Sequence, residues 1–177
     1  KLTFKGIAVT TNQSIAVADL GKLVFTPDAN ANGNSNSYAT IGFKVQDDGG
    51  TANLGADTST NAYTLTIDVT AVNDPPTRTG TMPTLTVNED SSNTNAVSLG
   101  LNVLTYGPGG GADETSQTLT CTITGVPPSI TLWKPDGTTQ VKSGDTLSLT
   151  ELQGLMYKTV ADANGTGNIT WTVTDNG

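Results

Sequence analysis

The sequence predicts an all-β chain of antiparallel sandwiches, and three features point there. Apolar residues alternate with polar ones over short runs: Ile41, Phe43 and Val45; Tyr63, Leu65, Ile67 and Val69; Leu119, Cys121 and Ile123; Ile169, Trp171 and Val173. A period of two turns one set of side chains inward and the other to solvent, as in a half-buried strand. Turn formers separate the runs, at Asp47-Asp48-Gly49-Gly50, Gly107-Pro108-Gly109-Gly110-Gly111, Lys134-Pro135-Asp136-Gly137 and Asp162-Ala163-Asn164-Gly165. No segment sustains a helical period. Short strands at this spacing favour sandwiches.

Composition tests that reading. Hydrophobic residues are 34% of the chain, against the ~45–50% apolar content of ordinary globular proteins, so disorder is the first alternative. The arrangement removes it. The apolar residues are not scattered, and the partner that alternates with them is mostly Thr, a strand former that occurs 33 times. The 8 basic and 16 acidic side chains leave a net charge of −8. That balance disfavours nucleic acid, whose affinity comes from clustered Lys and Arg. No run approaches the ~18 apolar residues of a membrane span, so none is expected in this segment. Histidine is absent, which excludes a Ser-His-Asp triad, a Cys-His pair and His-ligated zinc. Cys121 alternates with Leu119 and Ile123 and reads as a small buried hydrophobe. Abundant Thr and Asn with scarce Lys suits an exported protein. No charged-then-apolar leader opens the sequence, so an export signal is expected outside it.

The elements follow in order. Strands are expected over residues 41–45 and 63–69. Asn73-Asp74-Pro75-Pro76 then stops pairing and stiffens a connector. Beyond it, strands are expected near Thr84–Val87 and Ala96–Leu104, over Leu119–Ile123, near Leu155–Lys158 and over Asn168–Thr174. Leu149–Met156 is the nearest candidate for a short helical turn.

The chain also repeats itself. Residues Ile15 to Gly33 align on Leu147 to Gly165 at an offset of 132, with Leu20 on Leu152, Leu23 on Leu155 and Phe25 on Tyr157. After a loop four residues longer in the first copy, the offset becomes 128, placing Ile41 on Ile169, Phe43 on Trp171, Val45 on Val173 and Asp47 on Asp175. Self-similarity of this kind marks tandem repeats. The first copy has no counterpart of residues 77–129, and the second none of the strand within 51–72. The expectation is a window on a longer array of a ~128-residue unit.

Several segments resemble one family. "YTLTIDVTAVNDPPT" looks like the closing strand and linker of the cadherin-like tandem repeats of giant bacterial surface and adhesin proteins. "FKVQDDGG" and "WTVTDNG" resemble the penultimate strand and its acidic end; "LVFTPDANANGN", "LTVNED" and "YGPGGGADETSQTLTCTITGVP" resemble further segments. The resemblance implies tandem Greek-key β-sandwiches, cadherin- and immunoglobulin-like. Residues 1–75 would be the C-terminal part of one repeat and 76–177 the next, lacking its last strand. It also implies calcium at repeat junctions and a role in adhesion, matrix or surface architecture at the cell surface.

Calcium takes about six to eight oxygen ligands from carboxylates, amides and carbonyls, and Asp and Asn concentrate here in turns. Laid on a sandwich, Asp113, Glu114 and Asp175 fall at the top of the second repeat, and Asp28, Asn30 and Asn32 at the bottom of the first. Asn73 and Asp74 lie between, completing one junction site. Glu89, Asp90 and Asp162 form the lower half of a following site, and Asp47 and Asp48 the upper half of a preceding one. There are departures from the animal pattern. The Asp-x-Asp pair expected after the second strand is replaced by Gly109-Gly110-Gly111-Ala112-Asp113-Glu114. Asp28-Ala29-Asn30-Ala31-Asn32-Gly33 opens like an EF-hand loop, but its twelfth position is Ala39 rather than Glu and its flanks read as strands.

Other readings stand beside this one. Asp and Asn also cap turns without any metal, and for Asp48 and Asp136 that reading leads. Phe43 and Trp171 are expected in the core, and Trp133 at the Lys134 turn is the candidate for glycan contact. Three Asn-x-Ser/Thr triplets, starting at Asn12, Asn164 and Asn168, reflect the abundance of Asn and Thr. Carboxylates suffice in number for a glycosidase-like pair, but they lie in turns and no cleft-forming insertion is present, so no catalysis is expected. The function read from the sequence is a non-catalytic structural and adhesive module of an exported protein, with neighbouring repeats as partners and calcium fixing the junctions. The alternatives are a self-assembling filament or surface-layer subunit completed by strand exchange between identical copies, in which residues 63–72 of one copy fill the open edge of another, and a glycan-binding sandwich.

Overall fold

The computed structural model describes residues 1–33, 36–91 and 94–177. Asn34, at the end of the "LVFTPDANANGN" segment, lies outside the described residues. The chain is all-β in character, and every strand pair is antiparallel. It divides into two compact units, Lys1–Val72 with Gly111–Asp113, and Asn73–Gly110 with Glu114–Gly177.

In the first unit, β1 (Leu2–Phe4) pairs with β2 (Ile7–Ala8) and with β3 (Leu23–Phe25). A 3-10 turn, Val17–Lys22, leads into β3. β4 (Ala39–Phe43) pairs with β5 (Tyr63–Ile67) over five positions, from Ala39 opposite Ile67 to Phe43 opposite Tyr63. The Phe43 and Tyr63 rings lie 5.7 Å apart. No described residue of 1–72 is fully buried.

In the second unit, β6 (Thr77–Thr79) pairs with β8 (Thr105–Gly107), and β7 (Val97–Ser98) lies between them in sequence. The remaining strands are β9 (Thr120–Gly125), β10 (Ile130–Trp133), β11 (Gln140–Val141), β12 (Thr146–Ser148), β13 (Met156–Thr159) and β14 (Thr170–Thr174). They form two sheets, β11-β10-β13-β7 and β12-β9-β14. Register explains the core. Cys121 stands opposite both Leu147 and Val173, and Leu132 opposite both Val141 and Tyr157. Because alternate residues share a face, these sets point from the two sheets into one cluster with Ile123, Leu152, Leu155, Leu99, Leu101 and Leu104. Cys121 is fully buried within it, where desolvation raises the thiol pKa.

The helical turn expected at Leu149–Met156 is α1, Leu149–Gln153. A capping box starts it. The Glu151 amide donates to Ser148 Oγ, while the Ser148 amide donates to Glu151 Oε2 at 2.8 Å. The turn drives Leu152 into the core, and Gln153 Nε2 donates to the Leu104 carbonyl at 2.6 Å.

Two expected strands differ from the structure. Residues 84–87 form no strand; the strand that opens the unit is β6, and it pairs with β8. The single strand expected over 96–104 is broken: β7 ends at Ser98, a 3-10 turn follows at Leu101–Val103, and β8 begins only at Thr105. Gly100, at φ 71°, makes the break. The turn lets Leu101 and Leu104 both enter the core, which an unbroken strand would not allow for residues three apart.

The repeat seen in the sequence is also repeated structure. Shifted by 132, α1 falls on the Val17–Lys22 turn and β13 on the region of β3. The order β11-β10-β13 has its counterpart in β2-β1-β3. Each copy also carries an ion pair in the same place: Lys134 Nζ with Glu151 at 2.8 Å, and Lys5 Nζ with Asp19 at 3.0 Å.

Candidate functional site

One group of polar residues of the second unit lies at its connector. Asn73 and Asp74 stop short of Pro75-Pro76 and lie against residues from three other segments. The Asp74 amide donates to Glu114 Oε1 at 2.6 Å. Asn73 Nδ2 donates to Asp175 Oδ1 at 2.8 Å, just beyond β14, and Gln117 Nε2 donates to Asn73 Oδ1 at 2.8 Å. The Gly177 amide also donates to Asp175 Oδ1, at 3.2 Å.

Glu114 is 1% exposed, and among the described residues its Oε2 has no hydrogen-bond partner; neither does the buried Gln117 Oε1. A carboxylate oxygen taken from water without compensation is costly, by several kcal/mol in order of magnitude. Gly110 shows where Oε2 points. A Cβ placed on this residue would lie 2.5 Å from Glu114 Oε2 and 2.7 Å from Asp74 Oδ2. Two carboxylate oxygens therefore converge on a space kept open by the missing side chain. Gly109, at φ 110°, lets the same loop pass the Pro75 carbonyl closely.

The two converging carboxylate oxygens, one of them buried, are the kind of donor that a hard cation prefers. Asp74 and Glu114 would hold it directly. Asn73 and Asp175 would orient the connector through their mutual hydrogen bond.

The other sequence-predicted residues lie in smaller groups. In the first unit, a Cβ on Gly111 would lie 2.1 Å from the Asn30 carbonyl oxygen and 2.9 Å from Asp113 Oδ1, so Asn30 and Asp113 share one neighbourhood. Asp113 and Asn32 also line a hollow of about 700 Å³ with Asp68. The Asp28 amide donates to the Tyr38 hydroxyl at 3.0 Å, and Asn30 adopts a left-handed conformation at φ 55°. Asp47 Oδ1 accepts from the Gly49 amide at 2.9 Å, a local turn bond. In the second unit, Asp90 Oδ1 accepts from the Asp162 amide at 3.1 Å, with both residues left-handed. Glu89 is exposed beside them. Asp136 caps its turn, accepting from the Thr138 and Thr139 amides and from Thr139 Oγ1, and these bonds hold its carboxyl far below the usual range.

Gln117 is the member of the connector site that the sequence does not announce. It follows Glu114 by one turn, its amide donating to the Glu114 carbonyl at 2.9 Å. That bend brings both side chains to the connector, and no periodic pattern marks it. Of the aromatic residues, Tyr157 is buried, while Trp133 and Trp171 are partly exposed. Both indoles are engaged: Trp133 Nε1 donates to Thr131 with Lys158 over its ring at 4.2 Å, and Trp171 Nε1 donates to the Tyr106 hydroxyl.

No protein-family model, curated protein or solved structure matches this chain.

Proposed function

We propose that the chain is a non-catalytic structural repeat module of an exported surface protein, and that its second unit binds calcium at Asp74 and Glu114. The observation that carries this reading is the buried, unpartnered Glu114 Oε2 converging with Asp74 Oδ2 on the space beside Gly110. A divalent cation there would offset the repulsion of two carboxylates in a site of low dielectric. It would also pin Asp74, the last residue before two prolines, to the end of the second unit. The mechanism is ion-dependent stiffening of the connector. Internal repetition and the resemblance to cadherin-like repeats support the architectural and adhesive role, with neighbouring repeats as partners at the cell surface.

Calorimetric titration of the full chain with calcium, with melting followed in calcium and in chelator, tests this. At a free calcium concentration about a hundred times Kd, linkage supplies about 2.7 kcal/mol. In a unit of ~100 residues that raises Tm by roughly 10–20 °C. Both the heat and the rise should vanish in Asp74→Asn and in Glu114→Gln. A chain that takes up no calcium and melts identically in chelator would overturn the reading.

A further inference from the structure

We infer that Asn164-Gly165 is a self-modification site, at which the Gly165 amide nitrogen closes on the Asn164 side chain and turns it into a carboxylate. This goes beyond calcium binding and does not depend on it. Asn is among the chemically labile residues. A glycine after it gives the next backbone nitrogen the freest approach, because no Cβ restricts the chain there. The step balances with one water. The Gly165 nitrogen loses its proton to solvent and attacks Asn164 Cγ. A C–N bond forms, the Cγ–Nδ2 bond breaks, and ammonia leaves. Water then opens the cyclic imide at either carbonyl. One opening leaves an ordinary aspartate; the other leaves an isoaspartate, in which the main chain runs through the former side-chain carbonyl.

The repeat supplies an internal control. Ala31-Asn32-Gly33 and Ala163-Asn164-Gly165 are the same tripeptide at the offset of 132, so local chemistry alone gives them one rate. Their surroundings differ. In the first unit Asn32 and Gly33 are partly covered, and the Gly33 amide donates to the Val69 carbonyl at 3.4 Å. A Cβ on Gly33 would overlap the Asn36 carbonyl oxygen. In the second unit Asn164 and Gly165 are both exposed. Among the described residues neither the Asn164 side chain nor the Gly165 amide has a hydrogen-bond partner. A Cβ on Gly165 would meet nothing within 4 Å. The attacking nitrogen is therefore tied in one copy and open in the other. Asn176-Gly177 is tied as well: Asn176 Oδ1 accepts from the Thr118 amide at 2.7 Å, and the Gly177 amide donates to Asp175 Oδ1 at 3.2 Å. The open step lies in the loop whose Asp162 amide donates to Asp90 Oδ1. A carboxylate at position 164 adds negative charge to a loop that already carries Asp162, and isoaspartate also lengthens the backbone between β13 and β14.

The test uses the full chain. Native protein is held at neutral pH and physiological temperature for several weeks. Peptide mapping by mass spectrometry follows the amide-to-acid change at each Asn-Gly step and separates aspartate from isoaspartate. Asn164 should convert about tenfold or more faster than Asn32 or Asn176, because those two must open locally before they react. Isoaspartate should be among the products. In denaturant Asn32 and Asn164 should convert at similar rates. Asn164→Gln, whose ring would be one atom larger and closes far more slowly, should keep its side-chain amide over the same period and melt like the parent. An Asn164 that keeps its amide overturns the proposal, as do equal rates for Asn32 and Asn164 in the native chain. Acid formed without isoaspartate overturns it too, since hydrolysis would then bypass the glycine nitrogen. A difference between Asn32 and Asn164 that persists in denaturant has the same consequence, because the fold would not be its cause.

Discussion

The two units carry one pattern with two outcomes. Leu152 is 0% exposed, and its counterpart Leu20 is 49% exposed. Leu155 and Tyr157 are buried, whereas Leu23 and Phe25 are only partly covered. Local structure is similar in both, since each copy forms a helical turn, 3-10 in the first and α in the second, then a strand and a Lys-to-carboxylate pair. The difference lies in what faces them. In the second unit Leu99, Leu101, Leu104, Cys121 and Ile123 complete the cluster, and all five come from residues 77–129, for which the first copy has no counterpart. Alternation therefore specifies strands and their faces, while the opposing sheet decides whether a face becomes a core.

The sharpest way to break the comparison is a matched pair of truncations. Leu152→Ala should cost about 2–5 kcal/mol, because it opens a cavity in a closed core. Leu20→Ala should cost within about 0.5–1 kcal/mol, since that side chain is already half exposed. Denaturant unfolding of both variants measures this, and equal losses would mean that both faces are covered in solution.

A second prediction concerns the connector. Glu114→Gln removes a buried charge that has one unpartnered oxygen, so in chelator this variant should be more stable than the parent by about 1–3 kcal/mol. In calcium the order should reverse. Thermal melts of both proteins in both conditions check it, and a variant that is less stable than the parent in chelator would contradict it.

Ser148→Ala should cost about 1 kcal/mol by removing the capping box. The first copy offers a built-in control: Ala16 caps its equivalent turn with no side-chain hydrogen bond, so Ala16→Ser should change stability little or improve it.

The smallest expected effect is a pH dependence. Lys134, chiefly, and the Ser148 amide and hydroxyl hold the Glu151 carboxyl down to about 2, from 4.5. The native state thus favours the ionised form. The contribution is fully present above the unfolded value and is lost as pH falls through about 2. Asp19 is lowered in the same direction by Lys22 and Lys5, so the first copy's pairs should also be lost only below the ordinary carboxylate range. Denaturant midpoints of Lys134→Ala followed from neutral to acid should show a flatter slope than the parent.

Much of this was legible in the residues. Alternation located β9, β13 and β14 and the burial of Cys121, a local helical period marked the turn at Leu149, and self-alignment gave the internal repeat. Alternation missed the division of residues 96–104, because Gly100 reverses the chain locally without disturbing the apolar count. The connector was legible in part. Asn73, Asp74 and Asp175 stood out as acids and amides at strand ends. That Asn73 bridges Gln117 and Asp175, and that Glu114 is sealed from solvent, depends on how residues 110–117 bend, which spacing does not encode. The ion pairs at Lys5 and Lys134 are a second mark of the repeat that the residues did not reveal, because the hairpin between β10 and β11 is longer than that between β1 and β2 and hides the alignment.

Residue-resolved amide exchange of the native chain tests the central contrast most directly. β3 and β13 have matching sequence patterns and pair with β1 and β10 in the same way, although β13 also has β7 on its other edge; for the amides on the β1 and β10 sides, local propensity predicts equal protection. If the facing sheet decides, amides of β13 should exchange only through global opening of the second unit. Those of β3 should exchange about a hundredfold or more faster through local opening. Equal protection of the two strands would contradict the account.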